Sequence, residues 1–212
     1  MFSRGNIKEK ARLLDFHASD AKIESRRMEN WGSPTAIDLY AGIGYFVFSY
    51  VTLGMRVAGW ELNPWSVEGL RRGAVANGWS VRVVRPGETF EDAGERIVIF
   101  LEDNKQALSR RQELGTALLE DVRHVNCGLL PSSEDSWIAA LELLSSHSWL
   151  HMHENVGVND TQLRRLEIEG MCNEWLVQKG DERGATVEHV ELVKTFAPGV
   201  WHCVFDVFLS KA

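Results

Sequence analysis

T-A-I-D-L-Y-A-G-I-G, residues 35–44, has the form of a short buried strand that breaks into a glycine turn. Residues Thr35 to Leu39 are mostly apolar and partly β-branched, Asp38 stands near their end, and Ala41, Gly42 and Gly44 lead into the apolar run Tyr45 to Leu53. Glycines let backbone N–H groups come close to a ligand, and the helix that follows presents its positive end there. Seventeen residues after Gly44, Glu61 closes a second apolar run, Val57 to Trp60, and Asn63 and Pro64 follow it. An acid about 20 residues beyond a strand–glycine–helix unit is where a ribose hydroxyl pair is held. The G-I-G turn lacks the third glycine of the dinucleotide pattern. The spacing therefore reads as a mononucleotide-type site, closer to the adenosine of S-adenosylmethionine than to NAD.

Working outward, strand and helix patterns alternate. After Thr35–Leu39 and the helix Tyr45–Leu53 come a strand over Arg56–Glu61 and a helix over Pro64–Asn77, whose first turn tolerates Pro64 because that N–H has no intrahelical partner to lose. Val81–Val84 is a short β-like run, Arg85–Gly94 a loop, and Arg96–Leu101 the expected third strand of the sheet. A helix over Gln106–Leu118, a strand within Asp121–Leu130, a helix over Glu134–Ser145, a strand over Trp149–Val156 and a helix over Asn159–Lys179 follow. The Pro198-Gly199 turn between Thr186–Phe196 and Val200–Leu209 is a hairpin signal. The expectation is an α/β chain with the Rossmann-like class I methyltransferase fold: a seven-stranded, mainly parallel sheet, its last strand antiparallel, with helices on both faces. Residues 1–33 read as a basic, partly helical segment and 34–212 as the catalytic domain.

Two further clusters belong to the ligand edge of such a sheet. Asp103 and Asn104 follow the strand Arg96–Leu101; together they match the amino edge and ring nitrogen of adenine, and alone they also make a helix cap or turn. The segment H-V-N-C-G-L-L-P-S-S leaves its strand in a Pro-Ser-Ser turn, which puts Asn126, Pro131 and Ser132 over the cofactor on the substrate side. His151 and His153 alternate at strand period, not at metal-ligand helix spacing, so no metal site is expected. Cys127, Cys172 and Cys203 are odd in number and widely separated, which reads as free buried thiols.

A chain of 212 residues, 44% of them hydrophobic, can bury a substantial core. No apolar run approaches the ~20 residues of a membrane span, and the start of the chain lacks the apolar centre of a signal peptide, so the expectation is a soluble, cytoplasmic chain without membrane contact. A net charge of −7 argues against gripping nucleic acid over the whole surface. Arg4, Lys8, Lys10, Arg12, Lys22, Arg26 and Arg27 do cluster near the start, where a basic docking face and an ordinary solvated helix surface are both consistent with the pattern.

Taken in order, M-F-S-R-G-N-I-K-E-K-A-R, I-D-L-Y-A-G-I-G-Y-F, W-E-L-N-P, E-D-N-K, V-N-C-G-L-L-P-S-S-E, W-L-H-M-H-E-N-V and V-K-T-F-A-P-G-V-W-H resemble one family over nearly the whole chain. It is that of the tRNA(Phe) 4-demethylwyosine aminocarboxypropyltransferases of wybutosine synthesis, relatives of the tRNA guanine-37 N1-methyltransferases. The N-C-G-L-L-P-S-S segment discriminates best, since the methyltransferases carry N-L-P there. The resemblance implies transfer of the 3-amino-3-carboxypropyl group of S-adenosylmethionine to a tricyclic base beside the anticodon. It also implies cofactor contacts at Ser3, Lys10, Glu61, Asp103 and Asn104, with the turn Ala41–Gly44 and Asp38 beneath the ligand and Asn126 to Ser132 shaping the base side. Such proteins carry a further N-terminal domain that helps hold tRNA, and a catalytic half that depends on it for tRNA(Phe) is the expectation. A methyltransferase of the same fold and a non-catalytic partner-binding domain are the alternatives. The spacing between Glu61 and Asp103 is longer than usual for the family, which leaves the third strand's register open.

Overall fold

A computed structural model describes residues 4–17, 34–114 and 117–211. Eight strands form one sheet: β1 (Thr35–Asp38), β2 (Arg56–Trp60), β3 (Val81–Val84), β4 (Ile97–Phe100), β5 (Val122–Cys127), β6 (Ser148–Gly157), β7 (Arg183–Ala197) and β8 (Val200–Lys211). Their order is β3-β4-β2-β1-β5-β6-β8-β7. The first six run parallel, and β8 lies antiparallel between β6 and β7.

The short central strands β1 (T-A-I-D) and β4 (I-V-I-F) are buried at every position. A parallel sheet covered on both faces demands continuous burial; β4 meets it with an unbroken apolar run, while β1 also buries Thr35 and Asp38. One face is covered by α1 (Arg4–Leu14), α2 (Tyr45–Thr52) and α3 (Pro64–Ala76), which pack Leu13, Phe16, Val47, Tyr50, Leu70 and their neighbours onto it. The other carries α4 (Ala107–Leu114), α5 (Trp137–Leu143) and α6 (Thr161–Gln178), with Trp137, Leu141, Ile168 and Leu176 in its core. Cys127, Cys172 and Cys203 are free and buried, as their spacing suggests.

The strand count is eight, not seven. Val81–Val84 is a full edge strand, paired with β4 from Val81↔Ile97 to Val84↔Phe100. The expected third strand is therefore the fourth in the chain, and it pairs with β2 in the register Val57↔Ile97. The longer spacing after Glu61 is spent on β3 and the loop that returns from it. The Pro198-Gly199 hairpin stands as read, with β7 beginning at Arg183, before the expected Thr186.

β1 stops at Asp38 and β2 at Trp60, so the glycine turn and Glu61 sit just beyond the last ladder bonds. Gly42 has φ 53° and Gly44 φ 93°. At Gly44 a Cβ would also lie 2.8 Å from the Phe48 ring and 3.0 Å from Leu70, so helix packing as well as backbone conformation requires glycine there. Of the segment 1–33, α1 and the turn to residue 17 are described; Ser3, Lys22, Arg26 and Arg27 lie outside the described residues.

Candidate functional site

At the carboxyl ends of β1, β2 and β4 a cleft of about 480 Å³ is lined by Leu39, Tyr40, Glu61, Leu62, Asp103, Asn104, Gly128, Leu129 and Asp135, among others. A larger hollow of about 990 Å³ shares Leu62, Glu102 and Asp103 with it but extends over the 86–90 loop toward Arg110 and Glu113. The smaller cleft is the one the sequence points to, because Glu61, Asp103 and Asn104 meet in it beside the glycine turn.

Glu61 is held in place by backbone. Its Oε2 accepts from Gly42 N–H at 2.9 Å and its Oε1 from Asn63 N–H at 2.7 Å. Each carboxylate oxygen keeps a further acceptor position, so the group is preorganised for a pair of hydroxyl donors. Asn63 spends its side-chain oxygen capping α3, accepting from Trp65 N–H at 3.0 Å, which steadies the start of that helix beneath the cleft.

Two neighbouring acids after β4 part company. Glu102, at the cleft wall, is taken up in a bidentate pair with Arg110, at 2.9 and 2.8 Å. Asp103 lines the cleft, with one oxygen accepting from Lys105 N–H at 2.9 Å and no described residue on the other. Asn104 donates its amide to Leu39 O at 2.9 Å, which ties this loop to the end of β1. Lys10 of α1 reaches the start of α2, its Nζ 5.7 Å from the centroid of Tyr45, whose buried hydroxyl has no partner among the described residues.

Beneath the turn Asp38 is fully buried. Its Oδ1 accepts from Tyr40 N–H and from Asn126 Nδ2, each at 3.1 Å, while Oδ2 has no partner among the described residues. Burial raises its pKa to about 6, against the lowering effect of those two bonds. A buried carboxylate with one oxygen unpaired among the described residues puts uncompensated negative potential beneath the glycine turn.

On the acceptor side, Asn126 is buried between Asp38 and His153, forming the floor and not the surface of the site. The turn after Gly128 is pinned to β6: Asn155 N–H donates to Pro131 O at 2.8 Å and Ser132 bridges to Glu154. Ser132 also accepts from Glu134 N–H at 3.2 Å, and Ser133 both donates to His153 O and accepts from Trp137 Nε1.

No protein-family model matches the chain. A curated protein of Schizosaccharomyces pombe, tRNA wybutosine-synthesizing protein 2, is 44% identical over 98% of this chain and 46% of its own length. Its Saccharomyces cerevisiae namesake is 36% identical over 98% of this chain and 44% of its own. This chain is a relative of tRNA wybutosine-synthesizing protein 2. It spans less than half the length of those two proteins. The M. jannaschii TYW2 crystallised in complex with AdoMet superimposes with a TM-score of 0.70 at 21% identity, over 100% of this chain and 78% of that one, and shares its fold.

Within the stretch shared with these wybutosine-synthesizing relatives lies a feature that sequence reading did not find. His124, Asn126, His151, His153, His202 and Asp206 are all buried and hydrogen-bonded across strands. The period-two spacing of H-V-N and H-M-H shows that each pair shares a face. Which strands would bring the pairs together is a matter of register, and no local signal carries it. Among the described residues no group of three His, Cys, Asp or Glu could hold a metal ion, and no helix is long and apolar enough to cross a membrane.

Proposed function

We propose that this chain catalyses transfer of the 3-amino-3-carboxypropyl group of S-adenosylmethionine to the 4-demethylwyosine base at position 37 of tRNA(Phe). The observation that carries the reading is the likeness to tRNA wybutosine-synthesizing protein 2 along 98% of the chain, supported by Glu61, Asp103 and Asn104 of the motifs lining one cleft.

In this proposal Glu61 receives the ribose hydroxyls, Asp103 and Asn104 read the adenine edge, and the turn Ala41–Gly44 supports the ligand at backbone distance. Asn63 holds the start of α3 under the sugar. The bare Asp38 oxygen complements the positive charge of the co-substrate, while Lys10 and, outside the described residues, Ser3 complete the contacts from the N-terminal segment. When bound, S-adenosylmethionine supplies an already activated sulfonium, so the protein needs no strong base. The Pro131–Ser132 turn, fixed to β6, orients the acceptor, with Asn126, fixed between Asp38 and His153, supporting the site from below. Aim decides the outcome, because a reacting centre must stand about 3–3.5 Å from its nucleophile and in line with it. The tRNA(Phe) partner, the need for a further tRNA-holding domain, and a cytoplasmic setting belong to the same proposal.

Precursor tRNA(Phe), supplied at high concentration because the further domain is needed for tight tRNA binding, is expected to gain label from S-adenosylmethionine labelled at the carboxyl carbon when incubated with this chain; co-substrate labelled at the methyl is expected to leave it unlabelled. Methyl label alone would instead mean a tRNA methyltransferase. Folded protein with no affinity for S-adenosylmethionine would mean a partner-binding domain.

Asp38 gives the site a pH signature. A cationic ligand needs the carboxylate ionised, so affinity for S-adenosylmethionine is expected to fall as pH drops through about 6, approaching tenfold per unit below it. The ligand-free protein moves the opposite way. An unfolded Asp titrates near ~4, so between there and about 6 the native state holds the extra proton and gains stability as pH falls. Calorimetry across this range should show the trend in the wild type and its absence in Asp38→Asn; an equal slope in both removes Asp38 from the ligand's surroundings.

A further inference from the structure

On the face covered by α1 and α2, a row of buried side chains crosses four adjacent strands, at the carboxyl ends of β1, β5 and β6 and the amino end of the antiparallel β8. Asp38 Oδ1 on β1 accepts from Asn126 Nδ2 on β5 at 3.1 Å; Asn126 Oδ1 lies 3.1 Å from His153 Nε2 on β6; and His153 Nδ1 lies 3.0 Å from His202 Nε2 on β8. The proton positions follow from the fixed end. A carboxylate only accepts, so Asn126 turns its NH2 to Asp38 and its oxygen to His153, which must then carry its proton on Nε2. Burial keeps both rings neutral, pushing His153 well below its ordinary range and His202 down to about 4. His153 Nδ1 is therefore an acceptor, His202 donates to it from Nε2, and His202 Nδ1 is left as a bare lone pair.

That lone pair is 2% exposed at the residue level and has no partner among the described residues. Directly opposite His202 in the β6–β8 ladder stands Asn155, and neither its side-chain oxygen nor its nitrogen has a partner there. Opposed residues of an antiparallel pair share a face, their Cβ atoms about 4.5–5.5 Å apart. Three polar atoms out of contact with solvent and without a partner among the described residues thus lie side by side, a costly arrangement that a hydrogen-bonding ligand would relieve. Asn155 also holds the Pro131 turn through its backbone, so the pair adjoins the acceptor side of the site.

We propose that His202 and Asn155 form a subsite for the outer edge of the acceptor base, His202 Nδ1 accepting a hydrogen bond from an N–H or O–H of that base and the Asn155 amide bonding the polar atom beside it. The inference rests on the reading of the acceptor as a guanosine-derived tricyclic base. Three strand spacings of ~4.8 Å put His202 roughly 14 Å from Asp38 across the sheet, so the pair stands apart from the co-substrate end of the row.

The full chain, labelled with 15N-histidine, tests this directly. Saturating S-adenosylmethionine is expected to leave the His202 Nδ1 resonance, assigned by its loss in a variant, where it was; adding 4-demethylwyosine nucleoside is expected to move it toward a hydrogen-bonded value. No movement with S-adenosylmethionine bound overturns the subsite, whereas failure to bind S-adenosylmethionine overturns the functional reading beneath it. Two substitutions separate recognition from support. His202→Asn places an amide near the position of Nδ1 and gives up the bond to His153; His202→Gln keeps that bond and gives up Nδ1. The KM for precursor tRNA is expected to rise about tenfold in His202→Gln and to stay within about threefold in His202→Asn, with S-adenosylmethionine affinity unchanged in both. The reverse order means that the ring only supports His153, and overturns the proposal. Should either variant fail to fold by circular dichroism, Asn155→Ala takes its place, with the same tenfold rise expected and an unchanged KM counting against the subsite.

Discussion

Asp206→Ala is expected to lower the stability of the protein by about 3–5 kcal/mol, the effect of removing one partner from a buried ion pair. Asp206 is fully buried on β8, where its oxygens take Arg12 Nη1 at 2.5 Å and Nη2 at 3.0 Å and its Oδ1 lies 2.7 Å from His151 Nδ1. Burial alone would raise its pKa; the Arg12 guanidinium and the His151 bond outweigh burial and hold it well below the ordinary carboxylate range. Arg12, itself largely buried, also takes Glu9 through Nε and Nη2. Without Asp206 that guanidinium keeps one carboxylate where it had two, and the His151 Nδ1–H loses its acceptor. In a chain of this size each 1 kcal/mol moves the melting temperature by about 2–4 °C, so a drop of about 10 °C is expected by calorimetry.

The same contact gives a pH dependence of known sign. Because the folded pKa of Asp206 is depressed, its stabilisation is fully present above the unfolded value near ~4 and is lost as pH falls below that. The variant should therefore lose less stability than the wild type on acidification. Loss should also concentrate in α1 and the turn after it, held besides by Lys8, bonded to Leu192 O and Glu191, by Leu13 in the core, and by Phe16, edge-on to Trp149 and His151. Hydrogen exchange in α1 that is no faster than in the wild type, with a melting temperature within about 2 °C, would show that Arg12 finds equal company elsewhere.

This anchor illustrates what the sequence makes legible and what it hides. The glycine turn, Glu61, the cap at Asn63 and the Pro198-Gly199 hairpin are local: each is a few residues whose backbone needs are written in their own side chains. Arg12 and Asp206 are 194 positions apart, and nothing near either one names the other. The histidines of β5, β6 and β8 are visible as same-face pairs, but a one-residue slip in register would send each to the opposite layer. Val81–Val84 reads weakly as a strand because an edge strand buries little: three of its four residues are half-buried or exposed. Of the two acids after β4, both at the cleft, the position of Arg110, eight residues on along α4, decides that Glu102 is taken up in an ion pair while Asp103 stays open to a ligand.

Glu61→Ala is expected to weaken binding of S-adenosylmethionine by about 3 kcal/mol, roughly a hundredfold, as the loss of charge-assisted bonds to two hydroxyls. The carboxylate is already oriented by Gly42 and Asn63, so little ordering opposes the bonds it forms. Stability should change far less, because Glu61 is only partly buried and water can reach the two N–H groups it leaves. Glu61→Gln sharpens the test. Its one remaining oxygen can satisfy either the Gly42 or the Asn63 N–H, but the charge is gone and its NH2 meets the other N–H donor to donor. An intermediate loss, nearer to alanine than to wild type, is therefore expected by titration calorimetry. Adenosine, which shares the ribose and lacks the sulfonium, should suffer the same proportional loss, since the lost bonds are to the sugar. Equal affinity in all three proteins would take Glu61 away from the ribose; a loss confined to S-adenosylmethionine would mean that its charge, and not its hydrogen bonding, is what the ligand senses.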